Sequence, residues 1–345
     1  MLNKFLPVQP AGVSLIASLV LMAGWHLGHA QQLYRCEDPQ RQVVYQDQPC
    51  SDGRSSEVTL DEAVVSEQGL PGTRGNGWLW RAEKADRSIY LTGSIHYGNE
   101  DLYPLPGAVM EAFELSAVLM VEADITDRDL AKGLLLSKGT FQDGSTLEQR
   151  LDPAIWAEVQ ATANAVNFPI NALVGQKPWL ASITLSGFAV ANAGFSLDLG
   201  VDRYFLNLAS EGGKQVVELE GLEYQIDLMD GLPRQTQEFL LRQAIQEINA
   251  GPDQARQLVN VWKEGNIAAL ETLVEKEFDS NDKAQRLAEL LLARRNRTMA
   301  ERIDSTAVDA GNYFVVVGAA HMVGENNLPD RLRQRGFSVE QLGVR

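Results

Sequence analysis

Beyond residue 77 the apolar residues fall into short runs separated by amphipathic stretches. Ser88 to Thr92 reads as a strand running into Gly93, and Val118 to Glu122 as a buried strand with a carboxylate at its end. Gln215 to Glu220 is a third strand, Tyr313 to Val317 a fourth running into Gly318, and Phe337 to Leu342 the last. Trp78 and Trp80 alternate and read as strand residues against a core face. Helical spacing fills the intervals. Pro106 to Ala117 carries proline in its first turn. Further helices lie near 126–137, 153–166 and 178–192, and Val201 to Ser210 ends at Gly212-Gly213. A long helical region, about 222–308, is broken at Pro233, Gly251-Pro252 and Gly265, and Asn326 to Arg335 is a final helix.

Strands alternating with helices predict an α/β fold, a central sheet with helices on both faces. A weak internal repeat sharpens this. Leu91-Thr-Gly-Ser-Ile-His96 matches Val316-Val-Gly-Ala-Ala-His321. Each copy is a strand, then Gly-x-x-His, then a loop with Leu-Pro (Leu105-Pro106, Leu328-Pro329), a helix and another strand. Two related halves are expected, with a mostly helical insertion between them.

The first residues predict a different organisation. Lys4 precedes an uncharged apolar run, Ala11 to Gly24, too short for a comfortable membrane span of about 20 residues. Gly28-His29-Ala30 supplies small residues where a signal peptidase reads. Residues 1–30 are therefore expected to be a cleaved signal, leaving a periplasmic or secreted protein with no stable membrane span; an uncleaved anchor or buried helix is the alternative. Residues 31–50 read as a small hairpin turning at Asp38-Pro39. Cys36 and Cys50 could close it as a disulfide, the alternatives being a reduced pair or a metal site. The segment resembles a small N-terminal domain of exported bacterial proteins, with Arg41 where that pattern has glycine. Residues 51–76 have linker composition, and a main domain is expected over 77–345.

Charge narrows the partners. Forty-six Asp plus Glu against 30 Lys plus Arg give a net charge of −16 over 345 residues. That argues against nucleic acid or an anionic membrane surface.

With the signal removed, His26 and His29 are lost, and His96 and His321 are the remaining histidines. Both stand in Gly-x-x-His just past a strand, where α/β sheets collect ligands. Glu122 and Glu220 also close strands, so four groups could converge. Imidazole and carboxylate together suit Zn²⁺, Mn²⁺ or Fe²⁺, and metal-bound water ionises near neutral pH. The bland alternatives are a structural histidine, and a carboxylate that caps a helix or joins an ion pair. Ser94 lies in no Gly-x-Ser-x-Gly elbow, which argues against a serine hydrolase. Gly69, Gly72, Gly75 and Gly77 read as linker, and Glu271, Glu275 and Glu277 as a solvated helix face.

These residues resemble the TraB/GumN family, related to the Tiki metalloproteases and more remotely to ChaN-like and erythromycin-esterase-like proteins. The likeness runs over about 77–345, through Leu91–His96, Leu105-Pro106, Ala117–Ala123, Gly200-Val-Asp-Arg-Tyr-Phe205, Val217–Glu220, Arg294-Arg-Asn-Arg-Thr-Met-Ala300 and Val317–His321. It implies metal-dependent hydrolysis of a peptide or small ester or amide. His96, His321, Glu122 and Glu220 would hold a divalent metal (Mn²⁺, Co²⁺ or Zn²⁺), with Glu122 as ligand or general base. Asp202, Arg295 and Asn296 match further family positions. Arg295 would clamp a substrate carboxylate or stabilise an oxyanion, Asn296 would orient water or substrate, and Asp202 would contact substrate. Without the likeness, Arg294 to Arg297 reads equally well as a solvated helix face paired with Glu289 and Glu301. Two other readings remain open: a metal-free hydrolase with a histidine base and an orienting glutamate, and a non-enzymatic exported ligand-binding protein.

Overall fold

In the computed structural model, which describes residues 78–278 and 281–342 and the backbone of 34–37, 43–46 and 56–57, the apolar runs become strands. β1 (Tyr34–Glu37), β2 (Val43–Gln46) and β3 (Ser56–Glu57) form an antiparallel sheet in the order β2-β1-β3, within a compact unit of its own. β1 and β2 are the two arms expected on either side of Asp38-Pro39. β3 falls inside the stretch expected as linker; a strand of two residues carries no periodicity to read. The Cys36 side chain, Cys50 and the predicted signal lie outside the described residues.

The second unit begins with β4 (Leu79–Lys84), β5 (Arg87–Ser94), α1 (Gly107–Glu114) and β6 (Val118–Val121). Then come α2 (Arg128–Gly139), α3 (Leu147–Arg150), α4 (Pro153–Ala165), α5 (Pro178–Asn192), α6 (Val201–Glu211) and β7 (Gln215–Glu218). The long helical region is α7 (Leu222–Asp230), α8 (Arg234–Ala250), α9 (Asp253–Lys263), α10 (Ile267–Phe278), α11 (Asp282–Ala288) and α12 (Arg294–Thr306). β8 (Gly311–Gly318), α13 (Leu328–Gln334) and β9 (Ser338–Leu342) close the chain. Local chemistry sets the boundaries. Asp152 caps α4 with Pro153 in its first turn, and Thr146 and Gln149 form a reciprocal capping box on α3. No described helix is long and apolar enough to cross a membrane.

Six strands form the main sheet in the order β7-β6-β8-β5-β4-β9. β5, β8, β6 and β7 pair in parallel, and β4 runs antiparallel to both β5 and β9. β8 is central, and Tyr313 through Val317 are buried on both of its faces, as a valine-rich run in a parallel sheet requires. α1 and α6 pack on the face bearing Phe314. The rings of Phe113, Phe205 and Phe314 meet there at 5.0–5.5 Å, each pair contributing roughly 0.5–1.5 kcal/mol beyond its buried area. A second apolar core, among α3, α4, α5 and α8, centres on Leu147, Val159, Leu185 and Leu241.

Register fixes where the chemistry emerges. Gly93 pairs with Val317, Ser94 with Gly318, and Val121 with both Val316 and Glu218. The residues that follow these strands therefore leave the sheet along one carboxyl edge.

Glu277 departs from the solvated face expected of it. It is 3% exposed among Leu273, Val274 and Phe278, because positions 270, 273, 274 and 277 form the inward stripe of α10. Burial pushes its carboxyl up to about 8. The folded chain then binds more protons than the unfolded one between pH 4.5 and 8. Stability should fall across that window as pH rises, by up to about 1.4 kcal/mol per pH unit. Denaturant titrations at several pH values should show this slope in the wild type and its loss in Glu277→Gln.

Candidate functional site

His96 lies two residues past β5, in a loop locked to the start of α6. Gly98 and Ser196 exchange backbone hydrogen bonds of 3.0 and 2.7 Å, the Val201 amide donates to the Ile95 carbonyl at 2.9 Å, and the Tyr103 hydroxyl donates to the Leu199 carbonyl at 3.0 Å. Gly200 permits this close approach: a Cβ there would lie 2.3 Å from the His96 carbonyl oxygen. The first turn of α6 then delivers Asp202, whose Oδ2 accepts from His96 Nδ1 at 2.9 Å. Burial opposes charge on this imidazole, but the Asp202 carboxylate and its hydrogen bond, helped by Glu122, raise His96 to about 9. Gly200→Ala should destabilise the fold by roughly 1–3 kcal/mol through overpacking. It should also loosen the Asp202 contact, so an NMR titration should show the His96 pKa dropping toward 6.5.

His321 sits in the 3₁₀ turn Ala319–Met322 after β8 and is fully buried. Its Nδ1 meets Asn296 Oδ1 at 2.6 Å, while Asn296 Nδ2 donates to the Asn326 carbonyl at 2.9 Å. The amide can therefore only accept from the ring, so Nδ1 carries the hydrogen and Nε2 a lone pair. Burial drives the imidazole down to about 3, with Arg295 and His96 adding to the effect and Glu122 opposing it. His321 is neutral at physiological pH.

Glu122 follows β6 and lies 3.6 Å from His321 Nε2 through Oε1. The Gly318 amide donates to the same Oε1 at 2.6 Å. The other oxygen accepts from Gln225 Nε2 at 3.0 Å and from the Arg295 guanidinium. Burial alone would raise this carboxyl; Arg295, both histidines and the Gly318 amide hold it well below the ordinary carboxylate range.

Arg295 points inward from α12 and is 1% exposed. Its Nε donates to both oxygens of Glu220 at 3.0 and 3.1 Å, Nη2 to Glu220 at 2.8 Å and to Glu122, and Nη1 to the Leu291 carbonyl at 3.2 Å. These contacts of the guanidinium are all to groups of the protein itself. Glu220, whose backbone amide donates to the Glu122 carbonyl at 3.0 Å, presents both side-chain oxygens to Arg295, and Gln225 bridges it to Glu122. The solvated-face alternative fits only part of this segment: Arg297 reaches exposed Glu289 at 3.8 Å, whereas Arg295 and Asn296 are buried.

Ser94, His96, Glu122, Asp202 and Gln225 line a cavity of about 20 Å³ at the sheet edge. Beside it, Ile95 and Tyr97 contribute to a larger apolar groove of about 320 Å³ between α4, α5, α8 and α9. Among the described residues no cluster of three or more His, Cys, Asp or Glu side chains stands arranged to hold a metal ion. The carboxyl edge nevertheless gathers His96, Asp202, Glu122, Glu220, Arg295, Asn296 and His321 from six separate segments. Sequence reasoning missed Gln225; its one signal was a place in the first turns of the helix that follows Glu220.

A model of the TraB/PrgY/gumN family matches residues 78–341. The uncharacterized protein YbaP of Escherichia coli (strain K12) is 27% identical over 264 residues, covering 75% of this chain and 95% of YbaP. A metalloprotease TIKI homolog of Amphimedon queenslandica is 24% identical, over 83% of this chain and 66% of the sponge protein. Human metalloprotease TIKI1 is 23% identical, over 81% of this chain and 67% of its own length. No solved structure matches the chain.

Proposed function

Because the chain belongs to the TraB/PrgY/gumN family, we propose that it is an exported hydrolase of amide or ester bonds, peptidase-like, working through His96, Glu122 and His321. One observation carries the reading. Two imidazoles emerge from adjacent parallel strands, each with Nδ1 held by a side-chain oxygen, and Glu122 lies against one of them. Relatives that bear the name metalloprotease, at 22–24% identity, add support for a metal.

The residues suit a divalent metal in their chemistry. His321 Nε2 is buried, unprotonated and, among the described residues, without a hydrogen-bond partner, the lone pair that a metal takes. His96 and Glu122 would be the further donors. A bound Mn²⁺, Co²⁺ or Zn²⁺ would supply a water ionised near neutral pH. The chain's own residues do the rest. Asp202 and Asn296 fix the orientation of the two rings. Arg295, held by Glu220 and Gln225, keeps Glu122 ionised and in place, ready to accept a proton. His96, carrying a proton when nothing is bound, must release it to ligate, so metal affinity should rise with pH.

A second reading has one observation in its favour: the Asp202–His96 pair has the form of a carboxylate-oriented acid–base histidine, and the two imidazoles are pushed to opposite protonation states. Such a site hydrolyses without metal. Incubation with a peptide library, read by mass spectrometry, separates the readings. Cleavage abolished by chelator and restored by Mn²⁺, Co²⁺ or Zn²⁺ supports the metallohydrolase; cleavage indifferent to chelator supports the metal-free site; no cleavage by metal-loaded protein rejects peptide hydrolysis.

A further inference from the structure

Three polar atoms at the carboxyl edge are buried with no hydrogen-bond partner among the described residues: Ser94 Oγ, Asp202 Oδ1 and His321 Nε2. Two of these, Ser94 and Asp202, line the same cavity as His96 and Glu122. Ser94 is 2% exposed and is the last residue of β5, two positions before His96. A buried hydroxyl or carboxylate oxygen left unpaired forfeits its hydration without recompense. That cost is relieved when a small polar molecule joins them.

The cavity measures about 20 Å³, room for one water and little else. The polar groups set in its largely apolar wall fit a water in both senses. Ser94 Oγ–H can donate to the water oxygen, and the water can donate to Asp202 Oδ1. The remaining candidates do not compete for these contacts: Glu122 is engaged by Gly318, Gln225 and Arg295, and the other oxygen of Asp202 is held by His96. Asp202 is therefore a two-sided group, with Oδ2 on the imidazole and Oδ1 without a hydrogen-bond partner among the described residues.

We propose that Ser94 and Asp202 Oδ1 hold the attacking water beside His96, making Ser94 a positioning residue of the hydrolytic site. The proposal rests on the hydrolase reading above. It assigns Ser94 no covalent role: the hydroxyl keeps its proton and aligns the water, whose second hydrogen and remaining lone pair stay free for the reaction.

Two measurements test it, one of them independent of turnover. A crystal structure at better than about 1.5 Å should contain an ordered solvent atom within hydrogen-bond distance of both Ser94 Oγ and Asp202 Oδ1. Ser94→Val, whose methyl groups fill the cavity, should expel it. In kinetics, Ser94→Ala should lower kcat by about 10²-fold with KM within about twofold and the melting temperature preserved. Absence of the ordered solvent in wild type, or a Ser94→Ala protein with wild-type kcat, overturns the proposal. Should the wild type cleave nothing, the hydrolase reading fails while the crystallographic result still decides whether Ser94 and Asp202 bind a water.

Discussion

Arg295→Ala should unfold the protein at markedly lower denaturant concentration, with a loss of about 3–5 kcal/mol and a melting temperature lower by about 10 °C. The guanidinium joins two buried carboxylates. The side chains of Glu122 and Glu220 are 10% and 0% exposed, and Arg295 donates to both. Without it, two carboxylates that bulk solvent barely reaches face each other across Gln225. The largest of the charges that keep Glu122 below its ordinary range is gone, leaving only the histidines and the Gly318 amide to oppose burial. The sign of the pH dependence follows. In wild type the depressed Glu122 contributes stability above about pH 4.5, lost as pH falls through its folded pKa. In the variant, acid protonates Glu122 more readily, so the gap between the two proteins should be widest near neutral pH and narrow in acid. Arg295→Lys should recover only part of the loss, since an ammonium cannot make the parallel contacts of a guanidinium fork. Arg297→Ala, two positions along on the exposed side, should cost less than about 1 kcal/mol.

The elements were legible in the sequence wherever a single local rule set them. The run Tyr313 to Val317 is apolar at every position because β8 is covered on both faces, and Pro233, Gly251-Pro252 and Gly265 interrupt the helices where the sequence places them. The order of the strands was not legible. β8 inserts between β5 and β6, and β9 adds to β4 at the far edge, more than 250 residues along the chain from it. Such pairing depends on tertiary packing that no window of sequence contains. At the site, the residue types could be read, but their partners could not. Nothing in Gly200-Val-Asp202 says that the glycine abuts the His96 carbonyl, or in Arg295-Asn296 that one serves Glu122 and the other His321. Glu277 shows the same limit: a carboxylate on a helix reads as solvated until the stripe it shares with Leu270, Leu273 and Val274 is seen to face inward.

His96→Ala and His321→Ala should each lower peptide hydrolysis by about 10³-fold or more. The two losses should not add in the double variant, because removing either imidazole dismantles one shared site. Stability should separate them from Arg295→Ala. His96 is partly exposed, and its loss frees the Asp202 carboxylate at the edge of a cavity that admits water. His321 is completely buried, so its truncation leaves a void and strands the Asn296 amide, a cost of about 2–4 kcal/mol. His321→Asn is the gentler companion, and a folded but inactive variant assigns the loss to chemistry rather than to collapse.

The most direct test of the shared site is the metal content of protein purified without chelators or an affinity tag of histidines, measured by mass spectrometry beside folded His96→Ala and His321→Asn. Wild type should carry about one Mn²⁺, Co²⁺ or Zn²⁺ per chain, after reloading if needed, and both variants should lose it. Wild-type protein that stays metal-free through reloading, or variants that retain the metal, would contradict the shared site.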